Sequence, residues 1–413
     1  MDWEPARDQG DGRQPGQDRY ATAHVGGTRR RGSEPAPTTR RGVVRAAVGG
    51  AALLAVAGTG YAALKLGSGH GSGSAAAGSS PSAGPSDPKA SPSATSSAHV
   101  TVSSGFDDSA LAGPYAYSRE SGPDRTVVRT ESGTQVAVFT DGARTVCFSG
   151  ASRGFTEPST TTSTVTTDSW VRVAPKRWSE GAQDDAWFHG WFQQQIGSTE
   201  PDLFGLYAEY AAGAPNKVNG QGVRYAGQAR FGELTASDGY QNPLGDRDDR
   251  ADFYDYLGVD FDFPDGTGKP HSAWYGDLDC SGLVRILFGY RMGYPMYLGD
   301  GSSSSVGTLP RHSWSLAANG PGVWLFGEGA SSAPEQGELS RLQPGDLLFF
   351  AEGSAKSTVD HCGIYFGADQ YGRRRFLSSR MGANGPTFGD ADGMSVIGGT
   401  GIYSADFRGA RRV

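Results

Sequence analysis

Leu278-Asp279-Cys280-Ser281-Gly282-Leu283-Val284, continued by Arg285-Ile286-Leu287-Phe288-Gly289, sets a cysteine at the opening of an apolar run. Leu283, Val284, Ile286, Leu287 and Phe288 recur at the spacing of a helix with one side on a sheet, and Gly289 marks its end. A cysteine at a helix start faces the positive end of the macrodipole and unpaired backbone N–H groups. Both favour the thiolate, and the same N–H groups can hold an oxyanion. A buried structural cysteine is the plain alternative. The polar, tight flank of Asp279 and Ser281-Gly282 fits an exposed site better than a core.

Downstream, Leu342-Gln343-Pro344-Gly345-Asp346-Leu347-Leu348-Phe349-Phe350 reads as a turn and then a strand. A hydrophilic loop follows to Val359, and then Asp360-His361-Cys362-Gly363-Ile364-Tyr365-Phe366-Gly367 resumes a strand. Alternation puts His361 and Gly363 on one face and Cys362 and Ile364 on the other, so Cys362 reads as core, opposite the site. A lone histidine is usually structural. Beside a matching cysteine, His361 reads instead as the base of a Cys280 nucleophile. His24, His70, His99, His189, His271 and His312 lie in the tail, the linker, loops or helical segments, and no His/Cys/Asp/Glu spacing resembles a zinc site. Neither a metal nor an organic cofactor is expected.

These three motifs, in this order, resemble the NlpC family of papain-like cell-wall endopeptidases, in its actinobacterial type, over residues 238–413. The resemblance implies an α+β, papain-like catalytic domain whose helix-borne cysteine packs on an antiparallel sheet. It also implies hydrolysis of peptidoglycan stem peptides, typically at the γ-D-glutamyl to diamino-acid bond, with Cys280 as nucleophile and His361 as general base. The family's third polar residue lies on the next strand, here Arg375-Phe376-Leu377-Ser378-Ser379-Arg380, which puts Ser378 in the orienting position. A serine hydroxyl can accept from the imidazole but stabilises imidazolium less than a carboxylate would; Ser379 or a water are the alternatives. The aromatic–Gly–Gly segment that usually precedes the cysteine is replaced by His271-Ser272-Ala273-Trp274-Tyr275-Gly276, where Tyr275 stands for the family's tyrosine. Tyr275 and Ser281 are the expected substrate contacts. Residues 294–339, between the motifs, carry a Ser/Gly run and a helix expected around Arg311 to Ala318.

The chain has 413 residues, 63 of them Gly, with 37% hydrophobic content, enough for two modest globular regions and much unstructured sequence. A net charge of −7 gives no argument for nucleic-acid binding, and 3 Cys make a disulfide framework unlikely. Residues 1–42 form a basic, polar tail expected to be disordered and cytoplasmic. Residues 43–66 are an Ala/Leu/Val-rich run expected to cross the membrane once, oriented by Arg29, Arg30, Arg31, Arg40, Arg41 and Arg45. The rival reading is a twin-arginine-like signal at Arg40-Arg41, with a cleavage site at Ala55-Val56-Ala57 and a secreted product. Residues 67–99, Gly/Ser/Ala/Pro-rich, read as a flexible linker.

Residues 100–237 read as a β-rich region followed by a helical one. Thr126–Val128, Gln135–Phe139, Thr145–Phe148 and Trp170–Val173 alternate as strands, with Cys147 a small buried side chain. The Thr-rich stretch Ser159–Thr167 is expected to be an extended excursion. Trp187, Phe188, Trp191, Phe192 and Ile196 then repeat at helix spacing, as core rather than a sugar-stacking platform, and Pro201-Asp202 start a second helix.

The expected function is an exported cysteine endopeptidase acting on peptidoglycan. Two rivals remain: an amidase or acyltransferase on the same Cys-His pair, and a wall-binding or scaffold protein with a degenerate site. Room is left for a protein activator.

Overall fold

Strands dominate because β-branched and aromatic residues alternate with polar ones through much of the chain. The computed structural model describes residues 98–232, 251–301, 307–328, 333–352, 358–391 and 393–413. The basic tail, the apolar run 43–66 and nearly all of the linker lie outside them. No described helix is long and apolar enough to cross a membrane.

Six antiparallel strands build the first sheet: β1 (His99–Val102), β2 (Tyr115–Glu120), β3 (Arg125–Thr130), β4 (Gln135–Thr140), β5 (Thr145–Thr156) and β6 (Thr164–Val173). Their order is β1-β5-β4-β3-β2, with β6 also paired to β5. The Thr-rich stretch is only partly an excursion, since Thr164 to Thr167 join β6 and pair with β5 from Thr156 to Arg153. Threonine's branched side chain suits a pleated surface even where no apolar pattern announces a strand.

The faces of this sheet look into two cores. Val146, Phe148 and Trp170 share a core with helix α1 (Phe188–Gln195), whose Phe188 and Phe192 rings stack at 4.9 Å. Phe139 joins it against Trp178 at 4.2 Å. This burial explains the helical aromatic stripe as packing. Cys147 and Val171 belong to the other core, shared with the C-terminal half. Burial pushes the Cys147 thiol up to about 12. Helix α2 (Leu203–Ala208) starts where the sequence places it, with Asp202 accepting from the Gly205 N–H at 3.0 Å.

The rest of the chain runs through hairpin β7 (Lys217–Val218) and β8 (Arg224–Ala226), helix α3 (Phe253–Leu257), and hairpin β9 (Phe261–Phe263) and β10 (Gly266–Gly268). Helix α4 (Cys280–Val284) follows, and its helical path continues as a wider π-type segment over Arg285–Arg291. Gly289 is therefore inside the helical path rather than its end. Its missing side chain makes room for Met296, whose Sδ would lie 2.0 Å from a Cβ at that position.

Helix α5 (Ser313–Asn319) then leads to β11 (Val323–Phe326), β12 (Leu347–Phe350), β13 (His361–Ala368), β14 (Arg374–Arg380), β15 (Gly385–Thr387) and β16 (Val396–Ile397), and helix α6 (Ile402–Asp406) to β17 (Phe407–Arg412). The resulting antiparallel sheet has the order β11-β17-β12-β13-β14-β15, with β16 on β14. This is the mixed α+β architecture expected from the motifs.

Helix α4 packs across β13 and β14, and Leu283, Leu287, Cys362, Ile364 and Leu377 share its core. On the opposite face Phe350, Tyr365, Phe376, Tyr403 and Phe407 form a second core. The α4-side core continues into the first sheet: the Phe366 ring lies 5.0 Å from Phe155 and 4.5 Å from Phe204. Buried Arg412 joins the two sheets, donating to both carboxylate oxygens of Asp346 (2.8 and 2.9 Å) and to Thr140 Oγ1 at 2.8 Å. The described residues thus fall in one compact unit.

Candidate active site

Asp279 decides how α4 begins. Its backbone is extended and its carboxylate accepts from the Gly282 N–H at 2.6 Å, satisfying one orphan donor of the first turn. Gly282 is needed for a different reason. A Cβ there would stand 2.3 Å from the carbonyl oxygen of Ala251, just before the start of α3, so only glycine lets the two helix starts approach.

Behind the cap lies a buried charge cluster. Arg311 pairs with Asp279 and donates to Ser281 Oγ at 2.7 Å, and its Nε lies 3.8 Å from Asp252. Arg285 grips Asp252 at 3.0 Å and donates to the carbonyls of Leu309 and Pro310. Burial alone would lower the Arg311 pKa, but Asp279 and Asp252 carry it well above the ordinary value, so the guanidinium stays charged. The cap of the cysteine helix is thereby anchored to α3 and to the segment before α5. None of these partners, Asp252, Arg285 or Arg311, is distinguishable in the sequence from an ordinary surface charge.

Cys280 is buried at the sheet in one core with Cys362, and both the Cys362 thiol and the His361 imidazole of β13 act on its thiol. The placement of Cys362 differs from the expectation. It is core, but it lies against Cys280 rather than on the far side. Strand alternation separates His361 from Cys362 correctly; it does not say which face α4 covers. Helix α4 lies against β13, and Cys280 and Cys362 share one core there.

The electrostatics differ from the expectation too. The Cys362 contact, then burial, push the Cys280 thiol well above its ordinary range, against a smaller opposing pull from His361. The pull of the helix start toward thiolate is thus opposed by the Cys362 contact and by burial. Replacing Cys362 with alanine removes the largest of these causes. The expected outcome is a severalfold faster alkylation of Cys280 by iodoacetamide at pH 7, with the modified residue located by peptide mass mapping.

Ser378 and Ser379 separate cleanly. Leu377 pairs with Ile364, so alternation puts Ser379 on the α4 face and Ser378 on the His361 face. Ser379 Oγ donates to the Leu278 carbonyl at 2.6 Å, stitching the cysteine segment to β14. Ser378 Oγ is fully buried and has no hydrogen-bond partner, and neither has His361 Nε2. The imidazole is flanked by the Phe350 and Tyr403 rings, each at 5.8 Å, and Glu352 Oε1 lies 3.9 Å from Nε2. Glu352, in a loop with no pattern, went unread in the sequence.

The two expected substrate contacts sit differently. Tyr275 is 49% exposed, with its ring over Gly258. Ser281 is buried, and its hydroxyl donates to Asp279 at 3.1 Å while accepting from Arg311. Its side chain belongs to the helix cap, which leaves only its backbone to face a substrate.

The family model described as NlpC/P60 family matches residues 263–381. That segment runs from β9 to just past β14 and contains Cys280, His361 and Ser378. Cell-wall hydrolases and cysteine peptidases make up that family, the one the three motifs resemble. No curated protein matches the chain.

Proposed function

We propose that the protein is a cysteine endopeptidase of peptidoglycan stem peptides, cutting a γ-D-glutamyl to diamino-acid type of bond outside the cytoplasm. The carrying observation is that a cysteine at a helix start and a histidine at a strand start, 81 residues apart in the chain, come close enough for the imidazole to act on the thiol inside an NlpC/P60 segment. Export by the 43–66 run, as an anchor or as a cleaved signal, belongs to the same proposal, as does any activating partner.

The chemistry follows from the resting state. Burial and Cys362 oppose ionisation of the Cys280 thiol, so His361 accepts its proton as the sulfur attacks the scissile carbonyl. The tetrahedral oxyanion forms beside the first backbone N–H groups of α4, those of Cys280 and Ser281; the Gly282 N–H is already bound to Asp279. His361 then returns the proton to the leaving amine, and a water activated by the same imidazole hydrolyses the thioester. Every proton stays within the pair, substrate and water.

The test is digestion of purified peptidoglycan by the full-length protein, with soluble products read by mass spectrometry. New amine termini within the stem peptides support the reading. New reducing sugar ends, or loss of whole stems from the glycan, would replace it with a glycosidase or an amidase.

A further inference from the structure

We propose that Glu352 is the positioning residue of His361, the role the sequence motif gives to Ser378; this rests on the Cys280–His361 pair being the working site. Four observations carry it.

First, His361 Nε2 is buried and makes no hydrogen bond. Nε2 is thus left without an acceptor in the resting site. A buried ring nitrogen without a partner is uncommon, and one beside a carboxylate has an evident candidate.

Second, that carboxylate is placed by the fold. Phe350 pairs with His361 across β12 and β13, and the Asp360 N–H donates to the Phe350 carbonyl at 3.1 Å. The Glu352 N–H donates in turn to Asp360 Oδ1 at 2.7 Å. The end of β12 is thus tied to the residue before the histidine, which holds Glu352 Oε1 at 3.9 Å from Nε2. In the positioning role proposed, the two close to a hydrogen bond when the ring is charged.

Third, Ser378 does not make the contact. Its hydroxyl lies on the His361 face and is buried, yet it makes no hydrogen bond.

Fourth, the chemistry favours a carboxylate. When Cys280 gives its proton to the imidazole, the ring becomes a cation whose buried Nε2 position needs an acceptor. A carboxylate stabilises that cation by charge as well as by hydrogen bonding, and a serine does not. The other groups facing or backing the ring are Cys280 from α4, Tyr403 from α6, and Arg380, which lies over the Tyr403 ring at 4.9 Å. Asp360 is its chain neighbour. Among these Glu352 is the carboxylate closest to Nε2.

The test compares full-length wild type with Glu352→Gln, Glu352→Ala and Ser378→Ala. The readout is the rate of Cys280 alkylation by iodoacetamide against pH, with the adduct located by peptide mapping. Both Glu352 variants are expected to alkylate about fivefold more slowly at pH 7, with the rising limb of the profile moved to higher pH; that is the size of a partly exposed ion pair. Ser378→Ala should follow the wild-type profile. Unchanged profiles in Glu352→Gln, which keeps the side chain's shape, would overturn the proposal, as would a shift seen only in Ser378→Ala. Alkylation needs no peptidoglycan, so a wild-type protein that releases sugar ends or whole stems yet shows the Glu352 shift would refute the peptidase reading and leave the positioning role standing.

Discussion

Cys280→Ala is expected to abolish stem-peptide hydrolysis, a loss on the order of 10⁴- to 10⁶-fold by comparison with other nucleophile deletions. The reason lies in the site's simplicity. Cys280 is the one nucleophile among the described residues placed both at a helix start and against His361. His361→Ala should cost nearly as much, because without a base the raised Cys280 pKa leaves almost no thiolate at neutral pH. The double variant should be no worse than the worse single one, since the two residues act as a unit. Rates on purified peptidoglycan for the three variants, with folding checked by circular dichroism, measure this. Additive losses would mean that the residues do not work on the same step.

Asp279→Ala carries the largest expected effect on stability. The carboxylate caps α4 through the Gly282 N–H and neutralises Arg311, both in a buried setting. Loss of a helix cap costs about 1 kcal/mol. Leaving a buried guanidinium short of its main partner costs about 3–5 kcal/mol more, because Asp252 stands farther off, at 3.8 Å, and is already held by Arg285. A domain has only about 5–15 kcal/mol in all, so the variant should lose a large part of its stability. At about 2–4 °C per kcal/mol for a body of this size, the thermal midpoint should fall by about 10 °C or more. Asp279→Asn keeps a capping side chain without the charge and should fall between. An unchanged midpoint in Asp279→Ala would mean that Arg311 finds compensation elsewhere.

The strands and the cysteine helix were legible because each repeats a local pattern. Alternation marked Gln135–Phe139 and Cys362–Phe366, and the apolar run after Cys280 marked α4. What the sequence left out depends on contacts distant in the chain. Gly289 reads as a stop until Met296 is seen to fill the space beside it. Cys362 reads as remote from the site because alternation describes one strand and not the helix lying across it. Asp252 and Arg311 form one buried cluster with Asp279, but 27 and 32 residues separate them from it in the chain, and no motif links them. Glu352 reaches His361 only through the pairing of β12 with β13. Ser378 lies on the His361 face of β14 and makes no hydrogen bond there, which analogy with the family's third residue does not foresee.

The central claim is that Cys280 carries the substrate's acyl group during turnover. The most direct measurement mixes the full-length protein with a synthetic stem peptide containing a γ-D-glutamyl to diamino-acid bond, quenches in acid within the first turnovers, and maps the protein's peptides by mass. The account predicts an acyl adduct on the Cys280 peptide, equal in mass to the part of the substrate before the scissile bond, and absent in Cys280→Ala. Cleavage of the peptide at an undiminished rate in Cys280→Ala, with no adduct in the wild type, would contradict it.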